Sequence, residues 1–540
     1  MTKKLILYIL LSVVIALPLV SPFFQKGYFE THDGEWAVVR LTEMHREIKD
    51  GQFPPQWSSY LNHGYGYPLF LFTYPFPYYI GEFLHLSGYS FVDSVKMLFV
   101  LSVVLSSLFM FLFAREMVGD LGGLITAIFY VYVPFRVVNL YVRGSIGESL
   151  SLVFFPLLCY LSLKFLLTGR KLYLTLSIPV LAAFILTHNI MAVLFVPLWL
   201  IWLIFLSRSF YEKLWVFAFR YIIPVFVLGL GLSAFFWLPA LVEKKFIILS
   251  TVALADKAEH FLSIPDFFNS AWRYGLLPSF QLGWAHLLLF IIGLMIVNLS
   301  GKVNKEKYEV LSNYFTLVFF FLIFLMLPFS YIIWNLPPLS SIDFPWRLIT
   351  LAIFFMASGI MFVTVKKYGL ILSIVLVFVT IFGILYIAKP GSVINKGDDY
   401  YATNDATTTS MDELMPVWVK NKPTNRPDKL VELDGQGFVM GTPVQKSNSL
   451  AFTLLSGERS MIRLNMIYFP GWKVAVDGKD TEIVYDNPGG LISFIVPQGE
   501  HKITVLFTST PIRKISYVIS IGALLSFLLL SAKYLFLRQV

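Results

Sequence analysis

Residues 368–388 read YGLILSIVLVFVTIFGILYIA, an apolar run without a charged side chain. A helix of about 20 mostly apolar residues spans the hydrocarbon core of a bilayer, so this run predicts a transmembrane helix. The composition of the whole chain agrees, because 57% of its residues are hydrophobic and only 14% are charged. Soluble domains carry about 25% charged residues. The sequence therefore predicts an integral membrane protein and excludes a chain built only of soluble domains.

Similar apolar runs recur along the chain and predict about twelve spans. Their approximate boundaries are 5–22, 92–113, 119–135, 149–168, 172–187, 189–207, 217–239, 283–299, 310–328, 346–364, 368–388 and 514–536. The two spans that meet at His188 could instead be one broken helix. The first span follows Lys3 and Lys4, and no small-residue cleavage site comes after it. We therefore expect an uncleaved helix with a cytoplasmic N-terminus.

The distribution of Lys and Arg predicts the orientation of these spans. With a cytoplasmic N-terminus, most short basic loops lie inside, as the positive-inside rule requires. Arg513 and Lys514 are the exception, because they lie at the outer end of the last span. The same distribution accounts for the net charge of +9, so we expect no nucleic-acid partner. The sequence predicts a multi-pass plasma-membrane protein whose large loops are extracytoplasmic.

The predicted domains follow from this topology. They are a transmembrane domain of residues 1–388 with a first external loop 23–91, an extracytoplasmic domain of residues 389–512, and a final span of residues 513–540. From about residue 449, short runs of β-forming residues alternate with turn signals such as Pro470-Gly471 and Asp477-Gly478. The predicted fold class is a polytopic α-helical membrane protein with a C-terminal extracytoplasmic antiparallel β domain.

An acidic motif, His32-Asp33-Gly34-Glu35, follows the first span. Two carboxylates two residues apart in a turn can act as a general base or hold a divalent cation. A second interpretation is structural. Asp33 can cap the amphipathic helix predicted over residues 36–48, and Glu35 favours its first turn.

Further polar and aromatic clusters lie at the predicted outer ends of spans. They contain Tyr65 and Tyr67, then Arg143 and Glu148, then His188, and finally Arg347. An arginine at a membrane surface can bind a phosphate through paired hydrogen bonds or can extend to lipid headgroups. The tyrosines can line a lipid or sugar site or belong to an interfacial aromatic belt. The clusters place cationic and acidic groups on one side of the membrane.

Taken in order, these motifs resemble a known family. They include His32-Asp33-Gly34-Glu35, Tyr65-Gly66-Tyr67-Pro68, Tyr141-Val142-Arg143-Gly144 with Glu148, Thr187-His188-Asn189, Phe344-Pro345-Trp346-Arg347 and Tyr468-Phe469-Pro470-Gly471-Trp472-Lys473. The ordered set is similar to the YfhO-like, GT-C-type bacterial membrane glycosyltransferases, which include membrane proteins labelled 6-pyruvoyl-tetrahydropterin synthase-related. The resemblance covers nearly the whole chain.

This resemblance implies a GT-C-like transmembrane domain and sugar transfer on the extracytoplasmic side. The donor would be a polyprenyl-phosphate sugar reached from the membrane lipid, and the acceptor a glycan, lipid or protein of the envelope. It implies that Asp33 is the catalytic base and that Glu35 assists it or binds a divalent cation, Mg²⁺ or Mn²⁺. The substrate-binding residues expected beside them are His32, Tyr65, Tyr67, Arg143, Glu148, His188 and Arg347.

Two other functions are compatible with the sequence. A transporter or flippase of lipids or lipid-linked sugars would be indicated by inverted repeats and by discontinuous or charged spans near mid-membrane. Neither pattern is clear, although Gly229-Leu230-Gly231 and Pro239 could break one helix. A non-catalytic scaffold that presents a glycan-binding β domain would reduce the polar clusters to caps and lipid anchors.

Overall fold

The computed structural model describes residues 3–210, 212–270, 280–299 and 305–536. Residues 537–540 of the last predicted span therefore lie outside the described residues. In chain order, the α-helices are α1 (Lys3–Val14), α2 (Leu17–Val20), α3 (Gly34–Lys49), α4 (Leu69–Phe72), α5 (Phe76–Leu86), α6 (Phe91–Val131), α7 (Pro134–Val138), α8 (Ile146–Thr168), α9 (Lys171–Thr187), α10 (Asn189–Ser209), α11 (Leu214–Phe217), α12 (Ile223–Leu232), α13 (Ala234–Glu243), α14 (Trp284–Leu299), α15 (Lys305–Met326), α16 (Ile349–Ile360), α17 (Lys367–Ile387), α18 (Asp398–Ala402) and α19 (Pro511–Ser531).

Among the described residues, nine helical stretches are long and apolar enough to cross a membrane. The apolar helices α9 and α14 are shorter. Helix α6 contains two of the predicted spans, and non-helical angles at Gly119 (φ 83°, ψ 176°) divide it between them. The predicted class of polytopic membrane protein is confirmed, whereas the number of twelve spans is not.

The predicted span 217–239 is interrupted in the structure. The helical run from residue 214 ends with α12, and α13 begins directly after Ser233. Helix α19 bridges this interruption through Ser520, whose Oγ accepts from the Phe235 N–H and donates to the Gly231 carbonyl, both at 2.9 Å. The hydroxyl thus satisfies backbone groups that a helix break leaves open, as an apolar environment requires.

The helices differ in how deeply they lie within the bundle. The span that contains α16 is 94% buried inside the protein, whereas the span formed by α17 is only 22% buried. Helix α16 is therefore central, and α17 turns most of its surface outward, as a helix in contact with lipid does. Arg347 and Thr350 belong to the central span, so it carries polar side chains into the packed end of the bundle.

The β-strands are β1 (Tyr28–Phe29), β2 (Val393–Ile394), β3 (Val431–Asp434), β4 (Gly437–Lys446), β5 (Ser449–Ser456), β6 (Ser460–Ile467), β7 (Trp472–Val476), β8 (Lys479–Thr481), β9 (Leu491–Val496) and β10 (Gly499–Phe507). Strands β4-β5-β10-β7-β8 and β3-β6-β9 form two antiparallel sheets, as predicted. The sheets begin at Val431, earlier than the predicted residue 449. Strand β4 lies at an edge and is exposed on both faces, so it lacks the alternating pattern that marks a half-buried strand.

The first large segment, residues 23–91, and the second, residues 389–512, contact each other at one end of the helix bundle. Strand β1 of the first pairs with β2 of the second, with Tyr28 opposite Ile394. Farther along, the Tyr65 carbonyl accepts from the Ile467 N–H at 3.0 Å, and Trp57 packs against Trp472 with ring centroids 5.5 Å apart. Both segments therefore lie on the same side of the helices.

Helix α19 is fixed by a buried ion pair at this same end. Arg513 donates to Glu243 Oε2 from Nε at 3.0 Å and from Nη2 at 2.8 Å. Nη2 also donates to the Pro470 carbonyl at 2.9 Å. The exception to the positive-inside rule thus has a structural reason, because the Arg513 charge is neutralised inside the protein. A buried, paired arginine does not report which side of the membrane it faces.

Candidate functional site

The acidic motif begins α3, but its aspartate does not cap that helix. Asp33 occupies the N-cap position without a side-chain cap hydrogen bond. Thr31 Oγ1 accepts from the Gly34 N–H at 3.0 Å instead. The structural interpretation, in which Asp33 serves as the cap, therefore does not describe this helix, and the half-buried carboxylate is left to interact elsewhere.

The backbone of the motif is held against the loop that carries Arg143. The His32 N–H donates to the Val142 carbonyl at 3.0 Å, and the Asp33 N–H donates to the Arg143 carbonyl at 2.8 Å. Gly144 allows this approach, because a Cβ there would lie 2.5 Å from Thr31 Oγ1. Its φ of 64° is also in the left-handed region that favours glycine. Two loops far apart in sequence are thereby joined.

Arg143 forms a paired hydrogen bond with Glu148. Nη1 donates to Oε2 at 2.5 Å and Nη2 donates to Oε1 at 2.7 Å. Asn139 Oδ1 accepts from Nη1 at 2.6 Å, and the guanidinium lies 4.8 Å from the Trp346 ring centroid. Glu148 is completely buried and also accepts from Thr350 Oγ1 at 3.1 Å. Arg143 is thus rigidly oriented by a carboxylate that solvent does not reach.

Arg347 is the less constrained of the two arginines. Its Nε lies 3.6 Å from Glu148 Oε1, which is too long for a hydrogen bond. Within the described part of the chain, that buried Nε has no hydrogen-bond partner. The side chain is 21% exposed. Arg347 therefore presents guanidinium N–H groups that an anion can occupy.

His188 is the single residue between α9 and α10, and its backbone is extended. Its Nδ1 accepts from the Met191 N–H at 3.2 Å, so the ring proton sits on Nε2. Burial lowers the pKa of His188 to about 4, although Glu148 opposes this shift. The ring also contacts Tyr74, at 5.0 Å between centroids. His188 is therefore a neutral hydrogen-bond donor at this site rather than a cation.

Electrostatic interactions connect Asp33 to these groups. Burial lowers the pKa of Arg143, but Glu148 and then Asp33 outweigh it and raise the pKa overall. Burial raises the pKa of Tyr74, and Asp33 contributes to this increase. The structure thus brings together five of the predicted residues around one small region: Asp33, Arg143, Glu148, His188 and Arg347.

Three other predicted residues, Glu35, Tyr65 and Tyr67, contact the second large segment, residues 389–512. Glu35 Oε1 accepts from the Tyr401 hydroxyl at 3.2 Å. The Tyr67 hydroxyl is buried and lies 2.8 Å from Thr408 Oγ1. Tyr65 lies farther away, against the β domain. His32 is exposed at the rim, where partial burial lowers its pKa and Asp33 opposes the shift.

Sequence reasoning missed several residues beside the site. Arg40 on α3 donates from Nε to Thr408 Oγ1 at 3.2 Å, and it interacts with Tyr74 and Tyr78. Tyr74 belongs to an aromatic stretch of the first loop, residues 74–79, which gave a weak indication of a binding site. The sequence around Tyr401 and Thr408 is polar and contains no motif, so it gave no such indication.

A metal ion fits this donor set poorly. The described residues contain no group of three or more His, Cys, Asp and Glu side chains placed to share an ion. Glu35 already accepts a hydrogen bond from Tyr401, and the groups interacting with Asp33 include the guanidinium of Arg143. The arrangement therefore favours chemistry carried by the side chains themselves.

The chain is thus a multi-pass membrane protein with a cluster of arginines and carboxylates that contacts the segment before its β domain. It belongs to the 6-pyruvoyl-tetrahydropterin synthase related family of membrane proteins, whose model matches residues 71–390. The family predicted from the ordered motifs is confirmed. A similar curated protein, an uncharacterized protein of Lactococcus lactis subsp. cremoris (strain MG1363), is 24% identical over 325 residues, which are 57% of this chain and 51% of that protein.

Partial structural similarity extends to an oligosaccharyltransferase of Archaeoglobus fulgidus. The apo form shares 12% identity at a TM-score of 0.44, covering 74% of this chain and 56% of that chain. The complex of this enzyme, AglB, with an inhibitory peptide and a dolichol-phosphate shares 13% identity at a TM-score of 0.41, covering 75% and 57%. The chain spans about half the length of the curated relative and of these structures.

Proposed function

We propose that this protein is a membrane glycosyltransferase of the GT-C type. It transfers a sugar from a polyprenyl-phosphate donor to a hydroxyl of an envelope lipid, polymer or protein on the extracytoplasmic face. The observation that carries the proposal is the uncapped Asp33 carboxylate, held by its backbone against the loop of Arg143. Membership of the family and the resemblance of the motifs support it.

Asp33 is the proposed general base. A carboxylate beside an acceptor hydroxyl can take its proton as the oxygen attacks the anomeric carbon. Asp33 is half-buried and does not cap α3, so no helix-capping hydrogen bond competes with this role. Glu35 is proposed to position the loop through Tyr401 rather than to react.

Arg347 is the proposed ligand of the donor phosphate. Its Nε has no hydrogen-bond partner in the described chain, whereas Arg143 is engaged by Glu148 and Asn139. Guanidinium groups bind phosphate oxygens by charge-assisted hydrogen bonds. The Nε2–H of His188 is a second proposed donor, and Glu148 and Arg143 position the cluster.

The proposed reaction is balanced by these groups. The bond between the acceptor oxygen and the anomeric carbon forms, and the bond from that carbon to the phosphate oxygen breaks. The hydroxyl proton goes to Asp33, and the electron pair leaves with the polyprenyl phosphate. Arg347 compensates the charge that develops there. The lipid tail of the leaving group stays in the bilayer.

The test is sugar transfer by the full-length protein in lipid nanodiscs, supplied with labelled undecaprenyl-phosphate sugars and an envelope acceptor. We expect transfer by the unchanged protein and a loss of at least about 100-fold in Asp33→Asn, since a general base contributes roughly 10²–10⁴. Asp480→Asn is the matched control, because Asp480 is an exposed aspartate of β8. It should transfer sugar normally.

Two outcomes would overturn parts of this proposal. If Asp33→Asn transfers sugar at the normal rate, Asp33 is not the general base, although the protein is still a glycosyltransferase. No transfer with any donor, together with scrambling of labelled lipids between the leaflets of vesicles, would replace the enzyme by a flippase.

A further inference from the structure

A cavity lies away from the proposed reacting groups, between α3 and the β domain. It encloses about 290 Å³ and is lined mainly by polar side chains. The polar side chains of this lining include Arg46, Asp50, Tyr60, Arg426, Lys446 and Ser447. Pockets for small ligands commonly enclose roughly 300–1,000 Å³, so this cleft suits one small polar unit.

Two arginines of this cleft stack on one tyrosine. The Arg46 guanidinium carbon lies 3.9 Å from the Tyr60 ring centroid, and that of Arg426 lies 4.3 Å from it. Cation–π contacts of this kind hold the planar guanidinium in a fixed orientation. The side chains come from α3, from the first loop and from the second large segment, so folding assembles the cleft from distant parts of the chain.

Each guanidinium is anchored by some of its N–H groups and keeps others available. Arg46 donates from Nη2 to the Ala402 carbonyl at 3.0 Å and is paired with Glu43. Arg426 donates from Nε to Asp405 Oδ2 at 3.1 Å and from Nη2 to the Tyr60 carbonyl at 3.4 Å. A guanidinium carries more N–H donors than these contacts use. Pre-oriented donors that remain open favour an anionic group with several oxygens.

Arg46 and Arg426 are each paired with a carboxylate outside the lining, Glu43 and Asp405, so their open N–H groups rather than a net positive charge favour an anion. The lining itself carries a third cation, Lys446, and one carboxylate, Asp50. That carboxylate is engaged, because its Oδ2 accepts from the Ser447 N–H at 2.6 Å. Lys446 is exposed on the edge strand β4, where a flexible ammonium can reach a ligand.

The cleft is distant from Asp33. Asp33 immediately precedes α3 and Arg46 lies on it, so a rise of 1.5 Å per residue places Arg46 about 20 Å along the helix from Asp33. A single small substrate cannot reach both places, whereas an extended oligosaccharide can.

We propose that this cleft binds an acidic sugar residue, carrying a carboxylate or phosphate, of an extended acceptor glycan. The identity of the ligand as an acceptor rests on the proposed glycosyltransferase function. The cleft is thus a subsite that holds the acceptor chain while its end reaches Asp33.

The test measures binding directly, with full-length protein in nanodiscs of phosphatidylcholine. The probes are trigalacturonic acid, neutral maltotriose, inorganic phosphate and vesicles of phosphatidylglycerol. We expect trigalacturonic acid to bind at least ten times more tightly than the other three probes. Arg426→Gln should weaken this binding at least tenfold without changing the melting temperature, because Arg426 is 46% exposed.

Arg463→Gln is the matched control. Arg463 is 50% exposed and is paired with Glu432, as Arg426 is paired with Asp405, but it does not line the cleft. The Arg463→Gln variant should bind trigalacturonic acid as tightly as the unchanged protein. Equal weakening by both substitutions, equal binding of maltotriose, or preferential binding of the anionic vesicles would overturn the proposal.

Asp33→Asn separates this subsite from the proposed function. The variant should still bind trigalacturonic acid, because the cleft is remote from Asp33. If the protein binds trigalacturonic acid but transfers sugar in no assay, the subsite is supported and the transferase activity is contradicted. If it transfers sugar to acidic acceptors without binding them in the cleft, the transferase activity is supported and the subsite is contradicted.

Discussion

Both carboxylate oxygens of Glu148 accept hydrogen bonds from Arg143, at 2.5 Å from Nη1 and 2.7 Å from Nη2. A second guanidinium, Arg347, approaches the same carboxylate to 3.6 Å. One buried negative charge therefore holds two positive charges at the end of the bundle. Removing a partner from a buried pair leaves an uncompensated charge, whereas replacing both with apolar residues is often tolerated.

Glu148→Gln should therefore destabilise the protein by roughly 3–5 kcal/mol, while the double variant Arg143→Met, Glu148→Leu should recover most of that loss. Thermal unfolding in detergent measures both. The exposed pair Arg463–Glu432 is the control, and Glu432→Gln should change stability by less than about 1 kcal/mol. A double variant as unstable as Glu148→Gln would show that packing, not charge, dominates.

Arg347→Gln should remove transfer activity with little loss of stability. The Arg347 guanidinium is only loosely paired, so its removal breaks no hydrogen bond of its Nε. Loss of one group that stabilises developing charge lowers the rate by roughly 10²–10³. Rates with labelled donor and melting temperatures measure the two effects.

Arg220→Gln provides the matched control for this substitution. Arg220 also lies 3.6 Å from a glutamate, Glu212, but it follows the end of α10 opposite to His188. Its transfer rate should equal that of the unchanged protein. A normal rate in Arg347→Gln would exclude Arg347 as the phosphate ligand.

The membrane class and the β domain could be predicted because they depend on local patterns. Apolar runs such as 368–388 and turn signals such as Asp477-Gly478 report hydropathy and backbone geometry directly. The edge strand β4 was missed because a strand exposed on both faces has no alternation. Gly229-Leu230-Gly231 indicated a possible helix break, but its position at Ser233 is stabilised from outside, by Ser520 of α19.

The site was predictable only as a list of polar residues on one side. Which of them pair depends on contacts across long stretches of chain. Arg40 meets Thr408, and Glu35 meets Tyr401, and neither partner stands in a recognisable motif. The neutral state of His188 depends on its bond from Met191 and on burial, which sequence spacing does not reveal.

Gly147→Ala should disturb His188 and lower transfer activity. A Cβ at Gly147 would lie 2.6 Å from His188 Cδ2 and 2.7 Å from Tyr74 Cζ, so both rings must shift. Gly383→Ala is the matched control, because a Cβ there meets nothing within 4 Å in helix α17. The control should retain activity and gain up to about 1 kcal/mol in helix stability. Equal activity in the two variants would contradict a role for the His188 position.

The buried carboxyl of Glu43 should make stability depend on pH. Burial raises the pKa of Glu43 from 4.5 to about 7, although Arg46 and Arg426 oppose the shift and Asp50 adds to it. Folding therefore favours the neutral carboxyl. Its stabilising contribution is complete below about pH 4.5 and is lost as the pH rises through about 7.

Glu43→Gln fixes the neutral form, so the variant should gain stability relative to the unchanged protein between pH 5 and 8 by roughly 3 kcal/mol. Melting temperatures of both proteins across this range measure the difference in stability. Other groups titrate equally in the two proteins, so their effect cancels in this difference. Glu432→Gln, an exposed glutamate of β3, should show no such change. A constant difference across the range would mean that Glu43 is already ionised at pH 5. A difference of opposite sign would mean that Arg46 stabilises the ionised carboxylate more than burial disfavours it.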